Sequence, residues 1–299
     1  MEVDTAIARF VMQLRRFDSI KEFWQCTQNY LLQYEAEHNT LLGVVHTLLH
    51  YPERYPESPY LAVCASRNSE GITQTDNILG IAIRTPPNKL LLSKVQDLNA
   101  LKLIAEDLQQ EQLPGVSGLV AEVESFVQAW QTLTGQSYRR KIEMRLYQLT
   151  QVEPVATVNG YLRLATESDR SLLLQWVAAF YSEIGMVNEE IEPMVDVQLK
   201  RQSLYLWDDG IPVSMVGGRE FSPTAARIAP VYTPPEYRRK GYATASVAAL
   251  SQKLLDQGCD RCFLFTDLAN PTSNRIYQQV GYRPICDWHE YSFTERGEE

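Results

Sequence analysis

The sequence predicts an α/β (α+β) protein of two tandem domains, each a mixed sheet with helices on its faces. Three observations carry this. At 299 residues the chain exceeds what one hydrophobic core ordinarily organises, and two domains of roughly 150 residues are the expected division. From residue 159 onward the apolar patterning reads strand, two helices, three strands, helix, strand, helix, strand, an alternation that builds a layered α/β domain. The first half repeats landmarks of that order at an offset of roughly 145 residues, as a duplicated fold would.

In chain order, the first 50 residues read as helical, with Ile7, Phe10, Val11 and Leu14 at helical spacing and a second apolar face at Phe23, Trp24 and Leu31. His46 and His50 lie four apart on one helix face. Thr47 stands where a zinc protease needs Glu, so packing or surface roles are expected. Tyr60 to Val63 and Ile78 to Ile83 read as strands, the second containing a glycine, and Leu90 to Val95 as a further strand. A helix stops at Gly135 and a long strand follows, closing on Tyr147. The Pro- and Thr-containing stretch from Tyr147 to Val158 reads as the connection, placing the boundary near residue 155 and the domains at 1–155 and 156–299.

In the second half Leu162 to Leu164 is a strand. Thr166 to Asp169 is an N-cap signature ahead of Leu172, Leu173, Trp176 and Phe180. A second helix is expected over Asn188 to Leu199. Strands at Leu204 to Trp207 and Val213 to Gly217 flank Asp209-Gly210, a two-residue hairpin signal. A strand over Ala225 to Tyr232 precedes a helix whose apolar positions Ala243, Val247, Leu250 and Leu254 end at Gly258. Cys259 and Cys262 form a single C-x-x-C with no second pair at zinc spacing, so two small buried residues are expected, not a metal or redox site.

Composition sets the function classes aside. Hydrophobic residues make up 44% and charged residues 22%, ordinary for a folded chain. With 28 basic against 37 acidic side chains the net charge is -9, a field that repels phosphate backbones, so nucleic acid is not an expected partner. The same field tilts weakly toward amines. No stretch approaches the ~18 apolar residues that span a bilayer, and Met1-Glu2-Val3-Asp4 is acidic where a secretory signal is positive. Five cysteines are too few for a disulfide framework in a chain this long, and a reducing, cytoplasmic location with no membrane partner is expected.

The chemistry concentrates where the strand ending at Val231 and Tyr232 meets a turn and a helix start. There Arg238, Arg239, Lys240, Gly241, Tyr242, Ala243 and Thr244 follow Thr233 and two prolines. A helix N-terminus aims unpaired N–H groups and a positive dipole end at one point, as a diphosphate requires. Gly241 removes the Cβ that would block close approach, Ala243 keeps the first turn small, and the basic run supplies countercharge; read alone, the run is equally a solvated helix entry. Further on, Asn270 reads as an N-cap with Pro271 at the first helical position and a stop at Gly281. Asn270, Asn274 and Tyr277 share one face of that helix.

These residues resemble the GNAT superfamily of N-acetyltransferases. Its phosphate-binding pattern, Gln/Arg-x-x-Gly-x-Gly/Ala, is met by Arg238-Arg-Lys-Gly241-Tyr-Ala243. Its Asn-x-x-Ser/Ala-x-x-x-Tyr helix ending in Gly-Phe or Gly-Tyr is met by Asn270, Ser273, Tyr277, Gly281 and Tyr282. The resemblance covers about residues 159 to 295 and implies a mostly antiparallel, twisted sheet. It implies acetyl-CoA as acyl donor, no metal, and transfer of an acyl group other than an aminoacyl group to a primary amine of a small molecule or peptide. The backbone from Arg238 to Thr244 is then expected to bind the CoA diphosphate. The strand around Ala229 to Thr233, with Asn270, is expected to align the pantetheine arm, Val231 or Tyr232 to offer an N–H to the oxyanion, and Tyr277 to lie by the thioester sulfur as a hydrogen-bond donor. Asn274 is grouped with these cofactor-side positions. The base stays open between Glu220, Glu183 and a water chain. The first half resembles a degenerate copy: Gln96 to Ala100 follow its equivalent strand with no glycine and no basic cluster, so no phosphate cradle is expected there. A non-catalytic acyl-CoA-binding sensor or interaction module is the alternative reading, and a homodimer the candidate assembly. A nucleotide regulator is disfavoured because no Walker-type Gly-Lys-Ser/Thr follows the turn.

Overall fold

A computed structural model describes residues 11–55, 57–67, 77–185 and 191–294. The element order repeats itself. Strand β1 (Val11–Arg16), helices α1 (Ile20–Gln33) and α2 (Asn39–His50), strands β2 (Tyr60–Arg67), β3 (Asn77–Arg84) and β4 (Leu90–Leu92), helix α3 (Asn99–Leu108), strand β5 (Gly115–Leu119), helix α4 (Val120–Thr134) and strand β6 (Tyr138–Leu149) make the first pass. The second pass is β7 (Tyr161–Leu164), α5 (Arg170–Glu183), α6 (Ile191–Lys200), β8 (Leu204–Asp208), β9 (Pro212–Glu220), β10 (Ala225–Tyr232), α7 (Tyr242–Asp256), β11 (Arg261–Asp267), α8 (Pro271–Val280) and β12 (Arg283–Phe293).

The chain divides into two compact units, residues 1–143 with 287–299, and residues 144–286. The segment around residue 155 lies in the irregular stretch between β6 and β7.

In the first unit the strand order is β1-β2-β3-β4-β5-β12. All pairs given are antiparallel except β4 with β5, which is parallel. The last place is taken by the C-terminal end of the chain, Trp288 opposite Leu119 through Ser292 opposite Gly115. Trp288 is buried there and donates from Nε1 to Ser117 Oγ at 2.6 Å. Helices α3 and α4 supply Leu101, Ile104, Phe126 and Trp130 to the core, which Tyr291 completes.

The start of the chain departs from the helical reading. Val11–Arg16 is a strand, because Met12 and Leu14, two apart, both pack on the core, which a helix cannot arrange. Ile7 and Phe10 lie outside the described residues.

In the second unit the order is β6-β11-β10-β9-β8-β7. Here β6 contributes its end, Met144 opposite Asp267 through Leu149 opposite Cys262. One core lies under α7 and α8 and holds Tyr147, Val216, Ala226, Ile228, Val247, Leu250, Leu264, Tyr277 and Tyr282. The other lies under α5 and α6 and holds Leu173, Trp176, Val177, Val195, Leu206, Met215 and Tyr232. Thr166 and Asp169 form the reciprocal cap ahead of α5, and Arg163 clamps Asp169 with two nitrogens at 2.8 Å. The turn at Asp209 spans three residues instead of two: Asp208 pairs with Pro212, Asp209 N donates to Ile211 O at 2.9 Å, and the register shifts beside it. Asn188, part of the expected second helix, is outside the described residues; α6 begins at Ile191. Cys259 and Cys262 are both buried, and burial pushes the Cys262 thiol up to about 12. Among the described residues no helix is long and apolar enough to cross a membrane.

Candidate active site

The site begins where two neighbouring strands separate. Strand β10 pairs with β11 only at Ala225, Ala226 and Arg227, then the two share no further ladder. Beyond that point β11 continues against β6 and β10 continues against β9. The β10–β9 register shifts between Ile228 and Val231, a bulge that re-aims the strand. Pro230 sits in the bulge, where a missing N–H interrupts nothing. Gly217 permits it: a Cβ there would stand 2.3 Å from the Ala229 carbonyl oxygen. Val231 and Tyr232 therefore keep one edge on β9 and turn the other toward the opening. Thr233, next along, is engaged twice, its hydroxyl with Ser214 Oγ at 2.8 Å and its carbonyl with Arg238 Nε at 2.8 Å.

At the end of β10 the chain makes a short 3-10 turn (Pro235–Tyr237) and curls through two left-handed residues, Arg239 (φ 63) and Gly241 (φ 87). Gly241 is the N-cap of α7, and no side chain caps the helix. A Cβ on Gly241 would stand 2.9 Å from Val158 Cγ1 in a backbone conformation that side chains resist. The first-turn N–H groups of Tyr242, Ala243 and Thr244 have no intrahelical acceptor, so they point out with the positive end of the helix dipole.

The basic run is divided in its tasks. Arg238 donates to the Thr233 carbonyl and pairs with Glu183 at the end of α5, bracing the turn. Lys240 lies over the Tyr237 ring at 5.7 Å, and Arg239 is exposed. Tyr242 donates to Asp209 Oδ2 at 2.6 Å, tying the helix start to the β8–β9 turn. Of the two carboxylates considered as a base, Glu183 is held by Arg238, and Glu220 is exposed at the end of β9.

Helix α8 closes the other side. Asn270 caps it, accepting from Ser273 N at 3.0 Å, and remains exposed. Asn274 is a brace: Nδ2 donates to Asp267 O and Asn270 O at 3.1 and 2.8 Å, and Oδ1 accepts from Tyr147 at 3.3 Å. Tyr277 is buried in the α7–α8 core, against which Val231 also packs, with its ring edge-on to Tyr282 at 6.2 Å. Burial pushes its phenol up to about 12. The helix thus brings Asn270, Asn274 and Tyr277 onto one side as the spacing predicts, but Tyr277 sits in the core while Asn270 faces out.

The corresponding place in the first unit is closed by its own side chains. After β4, which stops at Leu92 instead of running on to Val95, His38 Nε2 accepts from Lys94 N at 3.1 Å. Glu122 Oε1 accepts from Val95 N at 3.2 Å, and Tyr30 donates to Lys94 O at 2.6 Å. Asp97 Oδ1 then caps Asn99 N at 2.9 Å ahead of α3. Nothing in the residue types of α1, α2 or α4 announced these partners, which lie 27 to 64 positions from the groups they satisfy. Among the described residues no group of three or more His, Cys, Asp or Glu is placed to hold a metal.

Comparison with known proteins bears on the fold. Residues 171–282 match the family model described as acetyltransferase (GNAT) family. Over the whole chain the fold is similar to an acetyltransferase of the GNAT family from Colwellia psychrerythraea, with TM-score 0.58 and 15% identity over 94% of this chain and 100% of that one. A GCN5-related N-acetyltransferase from Sphaerobacter thermophilus gives 0.62 and 13% over 94% and 95%. A tandem GNAT protein from the clavulanic acid biosynthesis pathway gives 0.55 and 11% over 97% and 100%. No curated protein matches the sequence. The chain has the tandem GNAT fold, and its residues 171–282 match the acetyltransferase (GNAT) family model.

Proposed function

We propose that this protein is an acetyl-CoA-dependent N-acetyltransferase that moves an acetyl group, not an aminoacyl group, onto a primary amine of a small molecule or peptide. The catalytic part is the second pass of the chain, residues 156–299, its sheet completed by the end of β6, and the first pass, residues 1–155, is a degenerate copy. The observation that carries this is the uncapped start of α7 at Gly241 beside the one-edged end of β10. The first unit serves as an internal control, because there the equivalent main-chain groups are already satisfied by His38, Glu122 and Asp97.

When bound, acetyl-CoA supplies an activated acyl group on a thiol leaving group. The main-chain N–H groups from Arg239 to Thr244 hold the diphosphate by hydrogen bonds and the helix dipole, that of Arg238 being engaged by the Pro235 carbonyl instead. The outward edge of β10 at Val231, Tyr232 and Thr233, with the amide of Asn270, orients the pantetheine arm. An N–H of Val231 or Tyr232 stabilises negative charge developing on the carbonyl oxygen. Tyr277 hydrogen-bonds the sulfur and keeps its own proton: with its phenol near 12 and an ordinary thiol near 8.5, full transfer costs about 5 kcal/mol.

The test is a thermal-shift titration with acetyl-CoA followed by thiol release over a panel of amines. Acetyl-CoA is expected to raise Tm in the wild type and to have no effect on Gly241→Glu, whose side chain enters the cradle. An undiminished shift in that variant removes the site from Gly241. A normal shift with no thiol release over any amine assigns the protein to acyl-CoA sensing instead.

A further inference from the structure

The stretch that links β6 to β7 belongs wholly to the second unit. It forms neither helix nor strand, yet every third residue is held. Val152, Val155 and Val158 are half-buried, while the residues between them are exposed. Val152 and Val155 pack on the core under α7 and α8, and Val158 joins Trp207, Val213 and Ala245 in a small apolar cluster at the start of α7. Two hydrogen bonds to its main chain fix it. Glu153 N donates to Val280 O at 2.9 Å at the end of α8, and Trp207 Nε1 donates to Asn159 O at 2.8 Å. This strap reaches the cradle at one atom. Beyond the chain neighbours of Gly241, Val158 Cγ1 is the one atom among the described residues within 4 Å of a Cβ placed on that glycine, at 2.9 Å. Val158 therefore lies against the left-handed turn that opens α7, where no side chain caps the helix. The same turn has polar ties, Arg238 to Thr233 and Tyr242 to Asp209, and Val158 supplies an apolar one.

We infer that Val158 is a positioning residue of the cofactor site, acting through Gly241, and that Trp207 holds it in place by way of Asn159. This inference rests on the acetyl-CoA reading above. Donors already fixed where the phosphate oxygens arrive cost little to order on binding, whereas donors on a turn free to shift are ordered at the expense of affinity. Truncating Val158 leaves a gap that the turn can enter, so the first N–H groups of α7 lose their fixed aim. The effect falls on binding, because the cradle takes the diphosphate and not the acyl group that reacts.

The experiment measures acetyl-CoA binding to the full chain by calorimetry, with kcat and KM for acetyl-CoA read from thiol release. Val158→Ala is expected to weaken binding and raise KM by about fivefold with kcat unchanged. Trp207→Phe, a second variant in case that one folds poorly, keeps a ring but removes the donor and is expected to act in the same direction. In a Gly241→Ala background the sign reverses. The added methyl meets Val158, so Gly241→Ala binds weakly, and adding Val158→Ala recovers about threefold or more because the obstructing atom is gone. A general loss of stability weakens binding in both backgrounds and does not produce that reversal. Normal wild-type binding with unchanged binding in the folded variants, or with Val158→Ala harmful in both backgrounds, overturns the positioning role alone. No binding to the wild type overturns the acetyl-CoA reading and this inference with it.

Discussion

Tyr277 illustrates how much one residue's role depends on its surroundings. The family resemblance expects it beside the thioester sulfur, and a phenol at its ordinary value of 10 would transfer a proton to a thiolate at modest cost. Burial raises that cost, which in the proposed reaction leaves the hydroxyl to act by hydrogen bonding. Tyr277→Phe is therefore expected to lower kcat by about tenfold to a hundredfold while the acetyl-CoA thermal shift persists, a split measurable by steady-state kinetics beside melting curves. His38 makes a pH prediction in the first unit. Its Nε2 accepts from Lys94 N and its Nδ1 faces the Leu31 carbonyl at 3.1 Å, which fits a neutral ring protonated on Nδ1. Burial lowers its pKa from 6.5 to about 4. Because the folded value lies below the unfolded one, its contribution is complete above pH 6.5 and is lost as pH falls toward 4, by about 3 kcal/mol in all. Urea midpoints measured from pH 7 to pH 4.5 should fall steeply in the wild type and less steeply in His38→Gln. Equal slopes would show that the ring is not buried neutral.

At the scale of elements, the opening between β10 and β11 exists because a bulge and a glycine cooperate across a ladder. Gly217→Ala would press a methyl against the Ala229 carbonyl at 2.3 Å, so the bulge must shift. The expected cost is about 1–3 kcal/mol of stability, with a weakened acetyl-CoA shift, both read from melting curves. A stable variant with full binding would mean that the bulge does not shape the site. The strand, turn and helix around Gly241 were legible in the sequence because each announces itself locally: apolar runs, a glycine cap, a basic turn. The bulge was not, since it is defined by register against a partner strand, and register is a property of the pair. The same limit explains β1, whose short apolar run fits a helix or a strand until the core it packs on is known.

At the scale of the molecule, the two passes of the chain finish in each other's units. Tyr147 and Leu149, from the first pass, are buried in the second unit's core beside β11. Trp288 and Tyr291, from the end of the chain, belong to the first unit, paired with β5. A fragment starting at residue 156 is thus expected to melt well below the full chain, by about 10 °C or more, and to lose the acetyl-CoA shift, because it lacks a strand of its sheet. Melting and binding like the full chain would show that the strand from the first half is dispensable. The sequence by itself showed landmarks of a repeated order of elements and the glycine-started helix, because periodicity, caps and turns are written in neighbouring residues. Only the tertiary structure decided which strand closes which sheet, and that the first cradle is filled by His38, Glu122 and Asp97. Those outcomes depend on contacts between residues distant in the chain, for which no local pattern exists.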